Sequence, residues 1–315
     1  MQILSRHGLS RREFIIRALA VSSTAVFGGG GAWSCLAAEQ AGLPIVVFSK
    51  VYQTLKLNFE DAAAVTAEAG LDGVDCPVRP GGEILPERAA EDMPRYVAAL
   101  RKRNLTMPLL TTGITSVASP RTEEILRTAR QLGVQFYRLG FVERDMAVPA
   151  EKQCREVKAR LKDLAALDKE IGIGAIFQNH SPGGRAYVGG NLGELYDIVQ
   201  GFDPGQVGVA FDIGHALVVH GDQWRAHFEK LKPYIKVVYV KDVTRAGRWV
   251  PFGQGDIGAL GYFKLLRQMD YRAPISLHVE FDWTGKGTSK TRPALVKALG
   301  DSNRVLKQWL EEAWG

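Results

Sequence analysis

Four short segments in the second half of the chain place histidine, lysine and carboxylate side chains beside apolar runs. They are Gln178-Asn179-His180-Ser181, Phe211-Asp212-Ile213-Gly214-His215, Tyr239-Val240-Lys241-Asp242 and His278-Val279-Glu280. Imidazole and carboxylate groups act as general acids and bases, an ammonium group stabilises developing negative charge, and imidazole, carboxylate and amide oxygen bind metal ions. A lone histidine often only bonds a backbone carbonyl. Asp212, His215 and Lys241 together in one chain indicate a functional site.

Side chains alternate along a β-strand, so spacing predicts which of these residues share a face. Gln178 shares a face with His180, Tyr239 shares one with Lys241, and the last set consists of Ser276, His278 and Glu280. Each set is expected to point into one interior. His220 and His227 fall on the loop and helix after the sixth apolar run and are expected at the surface.

Other polar positions have two interpretations from sequence. Arg138 binds an anionic substrate group or pairs with a carboxylate, and Tyr239 contacts substrate or fills the core. Asp242 caps its loop or pairs with Lys241, and a structural role is favoured over a functional one. The run Gly253-Gln254-Gly255 brings backbone N–H groups close to an anion or simply makes a turn.

The elements that must position these residues alternate along the chain from residue 44 onward. Short β-rich apolar runs predict strands at Pro44–Lys50, Gly73–Val78, Met107–Gly113, Phe136–Phe141, Gly174–His180, Val207–Ile213, Lys236–Asp242 and Pro274–Phe281. Longer segments with helical spacing predict helices at Phe59–Ala69, Glu87–Arg103, Arg121–Leu132, Glu151–Ile171, Leu192–Val199, Trp224–Leu231, Leu260–Met269 and Pro293–Trp314.

This alternation is typical of βαβ units and a parallel sheet, and eight strands predict a closed barrel. We therefore expect an α/β protein with a single (β/α)₈ TIM barrel over residues 39–315. Active sites of such barrels lie at the carboxyl ends of the strands and in the loops that follow. The four polar segments fall at those positions.

Composition is ordinary for a globular protein, with 46% hydrophobic and 23% charged residues. The sequence pI near 9.2 and the formal charge of +6 suggest a nucleic-acid partner until the charges are located. The first 38 residues hold Arg6, Arg11, Arg12 and Arg17 against Glu13 alone. The remaining chain has mixed charges and no basic stripe, so no nucleic-acid partner is expected.

The amino terminus resembles an export signal. Ser10-Arg11-Arg12-Glu13-Phe14 matches the twin-arginine pattern, and a mostly apolar stretch and small residues follow it. We expect residues 1–38 to be cleaved and the barrel to be periplasmic or otherwise exported. The glycine run at 28–31 makes a lasting membrane anchor the weaker interpretation, and Cys35 is a less favoured lipidation site. Whether Cys76 and Cys154 pair stays open.

The polar segments also resemble a known family. Gln178-Asn179-His180, Phe211 through His215, Tyr239 through Asp242, Pro251 through Gly255 and Tyr271 through Glu280 are similar to the sugar phosphate isomerase/epimerase group. These xylose-isomerase-like barrels include D-tagatose 3-epimerase and, more distantly, endonuclease IV. The resemblance covers the chain after residue 38. It is strongest to exported members in which Gln-Asn-His-Ser stands where Glu-Asn-His is usual.

Epimerases of that family bind a divalent ion through Glu, Asp, His and Glu. The matching positions here are Gln178, Asp212, Tyr239 and His278, so only the aspartate is retained. Gln178 is a neutral donor, and His278 suits zinc, manganese or iron better than magnesium. The resemblance implies either one such ion, held by Gln178, Asp212 and His278, or no metal. Glu280, two residues after His278 and on the same predicted face, is an alternative source of the missing carboxylate.

The resemblance implies a sugar isomerase or epimerase, or a related lyase, that removes a proton next to the carbonyl of a small sugar. The candidate catalytic residues are His180, His215, Lys241 and Glu280, and the candidate substrate-binding residues are Arg138, Asn179 and Tyr239. His180, His278 or Glu280 is the expected base, and Lys241 or a metal stabilises the enolate. The alternative is a non-catalytic sugar-binding barrel, which the altered ligand positions favour. Phosphodiester cleavage needs a metal cluster and a basic surface that the sequence does not show.

Overall fold

Eight parallel strands surround one axis and carry the polar segments at their carboxyl ends. The computed structural model describes residues 42–284 and 289–315. Its strands are β1 Ile45–Phe48, β2 Gly73–Val78, β3 Thr106–Thr112, β4 Phe136–Arg138, β5 Gly174–Gln178, β6 Val207–Asp212, β7 Ile235–Val240, β8 Asp242–Val243, β9 Trp249–Val250 and β10 Ile275–Leu277. The barrel closes in the order β1-β10-β7-β6-β5-β4-β3-β2, and β8 and β9 form a separate antiparallel hairpin. The predicted α/β class and (β/α)₈ TIM barrel are confirmed.

Helices pack around the barrel and follow the predicted segments. They are α1 Phe59–Glu68, α2 Ala89–Arg101, α3 Thr122–Leu132, α4 Ala150–Ile171, α5 Leu192–Val199, α6 Ile213–His220, α7 Trp224–Leu231, α8 Ala259–Gln268 and α9 Arg292–Trp314. All but α6 agree with the sequence prediction to within two residues at each end. Several predicted strands run too far, by three residues at β4 and four at β10, because the chain leaves the sheet after Arg138 and after Leu277.

Helix α6 is absent from the sequence prediction. It begins directly after β6, and the Asp212 carboxylate caps it by accepting the His215 backbone N–H at 3.1 Å. The prediction that His220 lies on a loop is wrong, because His220 is the last residue of α6 and accepts the Leu192 N–H at 3.1 Å. An aspartate at the end of a strand thus also starts a helix.

Inward-facing side chains fill the barrel and support its mouth, which is the open end formed by the carboxyl ends of the strands and the loops that follow them. One buried cluster is apolar and consists of Val46, Leu109, Ile176, Ala210, Val237 and Tyr239. The barrel strands also carry buried polar residues, namely Asp75, Thr111, Arg138, Gln178, Asp212 and Ser276. The strand register places Tyr239 at the same height in the barrel as Asp212 and Ser276. The strands end at Gln178, Val240 and Leu277, so His180, Lys241, His278 and Glu280 follow the strands and do not belong to them.

The loop after β7 folds around the carboxylate of Asp242. That carboxylate accepts the backbone N–H groups of Gly253 at 2.8 Å, Gly255 at 2.9 Å and Val243 at 3.0 Å. A Cβ at position 255 would lie 2.1 Å from Asp242 Oδ1, so the close approach requires glycine. Of the two roles considered for Asp242, capping of its loop is the one that the structure shows. The two glycines hold an anion supplied by the chain itself.

The two cysteines after residue 38, Cys76 and Cys154, are buried free thiols. Among residues 42–284 and 289–315, no helix is long and apolar enough to cross a bilayer. The predicted signal segment, residues 1–38, lies outside the described residues.

Candidate active site

A buried ion pair stands at the centre of the mouth. Lys241, which directly follows β7, places its Nζ 3.1 Å from Oδ2 of Asp212 at the end of β6, and the two side chains are only 4% and 0% exposed. Burial raises the pKa of the Asp212 carboxyl, and the adjacent ammonium opposes that shift. The face of Trp249 from the β8–β9 hairpin lies 5.2 Å from Nζ and adds a favourable cation–π contact.

The imidazole of His215 lies on the other side of the Lys241 ammonium. Nε2 of His215 is 2.9 Å from Lys241 Nζ, and Nδ1 is 2.8 Å from the hydroxyl oxygen of Ser181. Burial lowers the pKa of His215 well below its usual value, and the lysine charge lowers it further. Because an ammonium group can only donate, Nε2 accepts from Lys241 and Nδ1 carries the proton, which it shares with Ser181.

Gln178 and Asn179 at the end of β5 hold Asp212 in position. Gln178 Nε2 donates to Asp212 Oδ2 at 2.9 Å. The Asn179 amide donates to the backbone carbonyl of Asp212 at 2.9 Å and accepts its backbone N–H at 2.8 Å. Asn179 was a candidate substrate-binding residue, but these two bonds tie its buried side chain to β6. It is a positioning residue for Asp212.

The imidazole of His180 lies at the mouth beside His215, and one of its ring nitrogens makes no hydrogen bond to the described residues. Its ring lies 3.8 Å from the His215 ring and contacts Phe141 and Tyr187 edge-on. Nδ1 is 2.7 Å from the carbonyl oxygen of Ser181, so Nδ1 carries the proton. Nε2 then has a lone pair and no hydrogen-bond partner among the described residues. Burial, followed by the charge of Lys241, lowers the pKa of His180 to about 4, so the ring is neutral at pH 7.

A chain of hydrogen bonds determines which ring nitrogen of His278, just after β10, carries the proton. Ser276 donates to Asp75 Oδ2 at 3.0 Å, and His278 Nε2 lies 3.2 Å from the Ser276 oxygen. Since the Ser276 proton goes to the carboxylate, Nε2 must donate to Ser276, and Nδ1 holds the lone pair. Nδ1 is buried and has no hydrogen-bond partner in the part of the chain that the structure describes. Burial lowers the pKa of His278 well below its usual value.

The ring of His278 is held between two aromatic side chains. Phe48 stacks on it at 4.7 Å, and Tyr239 lies 4.5 Å from it. Tyr239 is fully buried and belongs to the apolar cluster of the barrel interior, so its position matches the core interpretation. Asp75, which Thr111 also contacts at 2.9 Å, anchors the far end of the chain of hydrogen bonds.

The polar donors do not fit a divalent ion. Asp212 is the only carboxylate among the three candidate ligands, and its Oδ2 already accepts from Gln178 and from the Lys241 ammonium. Gln178 directs its N–H toward that oxygen, and a second cation beside Lys241 would be repelled. Among the described residues, no three His, Cys, Asp or Glu side chains converge as metal ligands. We therefore derive no step through a metal.

The rim of the mouth carries the remaining candidates. Glu280 is 28% exposed and lies 3.9 Å from the ammonium of Lys50. Arg138 ends β4 inside the barrel and is 2% exposed. The structure thus brings His180, His215 and Lys241 together, and places Glu280 farther out beside Lys50.

Two supporting residues, Asp75 and Ser181, were not assigned a role from the sequence. Asp75 is the one charged residue in the otherwise apolar run of β2, and that contrast was the available signal. Its partner Ser276 is 201 residues away in sequence, so spacing alone gave no indication that they meet.

Comparison with known proteins defines the class. Residues 63–307 match the Xylose isomerase-like TIM barrel family, and the chain belongs to that family. No curated protein matches it. Similar solved structures include D-psicose 3-epimerase with D-tagatose from Clostridium cellulolyticum H10, at 13% identity and a TM-score of 0.65 over 81% of this chain and 94% of that one.

Two further structures have the same fold. A D-tagatose 3-epimerase-like protein is 17% identical with a TM-score of 0.65, covering 86% of this chain and 98% of its own. The 3-keto-D-glucoside 4-epimerase YcjR from E. coli is 14% identical with a TM-score of 0.60, covering 80% and 94%. At these identities the similarity establishes the fold.

Proposed function

We propose that this protein is a sugar isomerase or epimerase, or a related lyase, that removes a proton next to the carbonyl of a small keto-sugar. The observation that carries the proposal is the Lys241 ammonium, held between Asp212 and His215 with two neutral imidazole nitrogens left free nearby. The titles of several barrels of similar fold name epimerases of small sugars or keto-sugars, which agrees with this class.

In this proposal Lys241 supplies the positive charge for the enolate. His180 Nε2 or His278 Nδ1 takes the proton from the carbon beside the carbonyl, and the C–H electron pair becomes the enolate. Its oxygen is stabilised by the Lys241 ammonium in a water-poor site. Returning a proton to the opposite face of the same carbon gives an epimer. Returning it to the former carbonyl carbon, while the proton of the adjacent hydroxyl passes to the former carbonyl oxygen, gives an isomer.

The barrel order supports a role for two bases. Strands β7 and β6, which carry Lys241 and Asp212, separate β10 from β5. His278 and His180 therefore approach the lysine from opposite sides. Epimerisation needs a proton donor and a proton acceptor on opposite faces of one carbon, and two neutral imidazoles supply that pair.

Export is part of the proposal. The Ser10-Arg11-Arg12-Glu13-Phe14 sequence and the apolar stretch that follows support delivery by the twin-arginine route to the periplasm or another exported location. This route carries folded proteins. The buried thiols of Cys76 and Cys154 fit a barrel that needs no disulfide.

The test is enzyme-dependent exchange of a substrate C–H with solvent deuterium across a panel of keto-sugars. Wild type should label one carbon next to the carbonyl, and Lys241→Met should lose the exchange. An exposed lysine on the outer helices, Lys297, provides the matched control Lys297→Met. If wild type binds a sugar without exchange, the result would instead support a non-catalytic sugar-binding barrel. Gln178, at a position where the family usually has a carboxylate, favours that interpretation.

A further inference from the structure

Arg138 is a buried cation without a carboxylate partner. It is 2% exposed, and among the described residues no carboxylate oxygen lies within 4.0 Å of its guanidinium. Its Nη1 donates only to the adjacent Leu139 carbonyl, at 2.6 Å. Its Cζ lies 4.4 Å from the Phe141 ring centroid. Its Nε and Nη2 have no hydrogen-bond partner among the described residues.

Arg79 is a second cation at the same end of the barrel. It directly follows β2, and the charge of Asp75, four residues earlier, lies close enough to act on it. Arg79 is half-buried, its Cζ lies 6.0 Å from the Phe48 ring centroid, and it too has no ion pair among the described residues. Burial lowers the pKa of Arg138 to about 10, the nearby charge of Arg79 also lowers it, and the charge of Asp75 opposes the shift. Both groups are cationic at pH 7.

The carboxylates of the mouth compensate these two cations only in part. Asp212 pairs with Lys241, and Glu280 lies beside Lys50. Asp75 accepts hydroxyl hydrogens from Thr111 and Ser276, and its charge acts on both Arg138 and Arg79 without an ion pair within 4.0 Å. An uncompensated buried charge is costly, and an oxyanion group of a ligand would supply the missing negative charge. The planar fork of arginine matches the two oxygens of a carboxylate or phosphate.

We propose that Arg138, assisted by Arg79, binds an oxyanion group of the substrate, so the keto-sugar is acidic or phosphorylated. This inference rests on the proposed function for the sugar itself. The oxyanion is held beside β4 and β2. The carbonyl end of the sugar then faces Lys241 across the barrel.

The test is calorimetric titration of the protein with three matched keto-sugars: neutral D-fructose, the carboxylate D-fructuronate and D-fructose 6-phosphate. At least one anion should bind about tenfold or more tightly than D-fructose. Arg138→Met should lower that affinity about 10- to 100-fold, as expected when a charge-assisted hydrogen bond is lost. The preferred anion tells carboxylate from phosphate.

Further variants keep the test decisive. Arg79→Met, at a half-buried position, should reduce the preference even if Arg138→Met folds poorly, and the exposed Arg160→Met on α4 should leave it unchanged. Failure of both anions to bind, or a preference that survives both arginine substitutions, would overturn the inference. Tight anion binding without C–H exchange would uphold it and count against the proposed reaction, so the two failures are distinguishable.

Discussion

The ammonium nitrogen of Lys241 lies 3.1 Å from Oδ2 of Asp212, in a position closed to solvent by its neighbours. Each charge is tolerated there because the other is present, and His215 and Gln178 complete the hydrogen bonds of the pair. Buried pairs of this kind fix charge in space more than they stabilise a fold. The relationship explains how a barrel with an altered ligand set keeps a cation at the mouth.

Removing one member of the pair should destabilise the protein strongly. Lys241→Met leaves Asp212 charged and uncompensated, so the free energy of unfolding should fall by about 3–5 kcal/mol in a denaturant titration. Adding Asp212→Asn should recover part of that loss. The exposed pair Lys297–Asp301 is the control, where Lys297→Met should cost less than about 1 kcal/mol. A Lys241→Met protein as stable as wild type would be inconsistent with the pair.

Reversing the ligand changes should create a metal site. In the double variant Gln178→Glu, Lys241→Met, a second carboxylate replaces the amide and the repelling ammonium is gone. We expect Mn²⁺ to raise the melting temperature of this variant and not that of wild type. Either single variant serves as a control. About one equivalent of metal bound to wild type, and lost in Asp212→Ala and His278→Ala, would contradict the account.

The proton position on His278 depends on Ser276. In wild type, nitrogen NMR of the imidazoles should show His278 protonated on Nε2. Ser276→Ala removes the acceptor at 3.2 Å and should mix the two tautomers. C–H exchange should then slow by about 10- to 100-fold while the free energy of unfolding changes by about 1 kcal/mol. An unchanged tautomer in Ser276→Ala would refute the chain of hydrogen bonds from Asp75.

A buried carboxyl far from the mouth gives a pH test of the fold. Asp168 on α4 accepts the Tyr137 hydroxyl at 2.9 Å, and burial raises the pKa of Asp168 to about 8. The folded protein therefore holds a proton that the unfolded chain releases around the ordinary aspartate pKa of 3.8. This stabilisation is complete at low pH and is lost as pH rises toward 8.

The neutral isostere Asp168→Asn isolates that effect. Between about pH 5 and 7, the free energy of unfolding of wild type should fall with pH more steeply than that of Asp168→Asn, by up to about 1.4 kcal/mol per pH unit. Denaturant titrations at several pH values measure the difference. Parallel pH profiles for the two proteins would show that Asp168 is ionised in the fold.

Sequence patterns were sufficient for the barrel and for the later strands of the site. Apolar runs and strand alternation predicted that Gln178, Asp212 and Lys241 face one interior, because those signals are local. They did not predict which side chains meet there. Asn179 looked available for substrate, and only the packing of β5 against β6 reveals that its amide is occupied by the Asp212 backbone.

The other omissions have one local and one long-range cause. Helix α6 begins directly after β6, so the apolar run of the strand continues into the helix and the sequence did not indicate that Asp212 caps a helix. Arg138 had two interpretations because pairing depends on which carboxylates the closed barrel brings near. In the structure those carboxylates have other partners, which no local spacing specifies.

The central claim is that Lys241, in place of a divalent ion, supplies the charge for proton abstraction beside a carbonyl. The most direct measurement is C–H exchange with deuterated solvent by chelator-treated protein, on the keto-sugar that wild type labels. We predict that exchange survives chelation, gains nothing from added Mn²⁺ and disappears in Lys241→Met. Exchange that is lost on chelation and restored by Mn²⁺ would contradict the account.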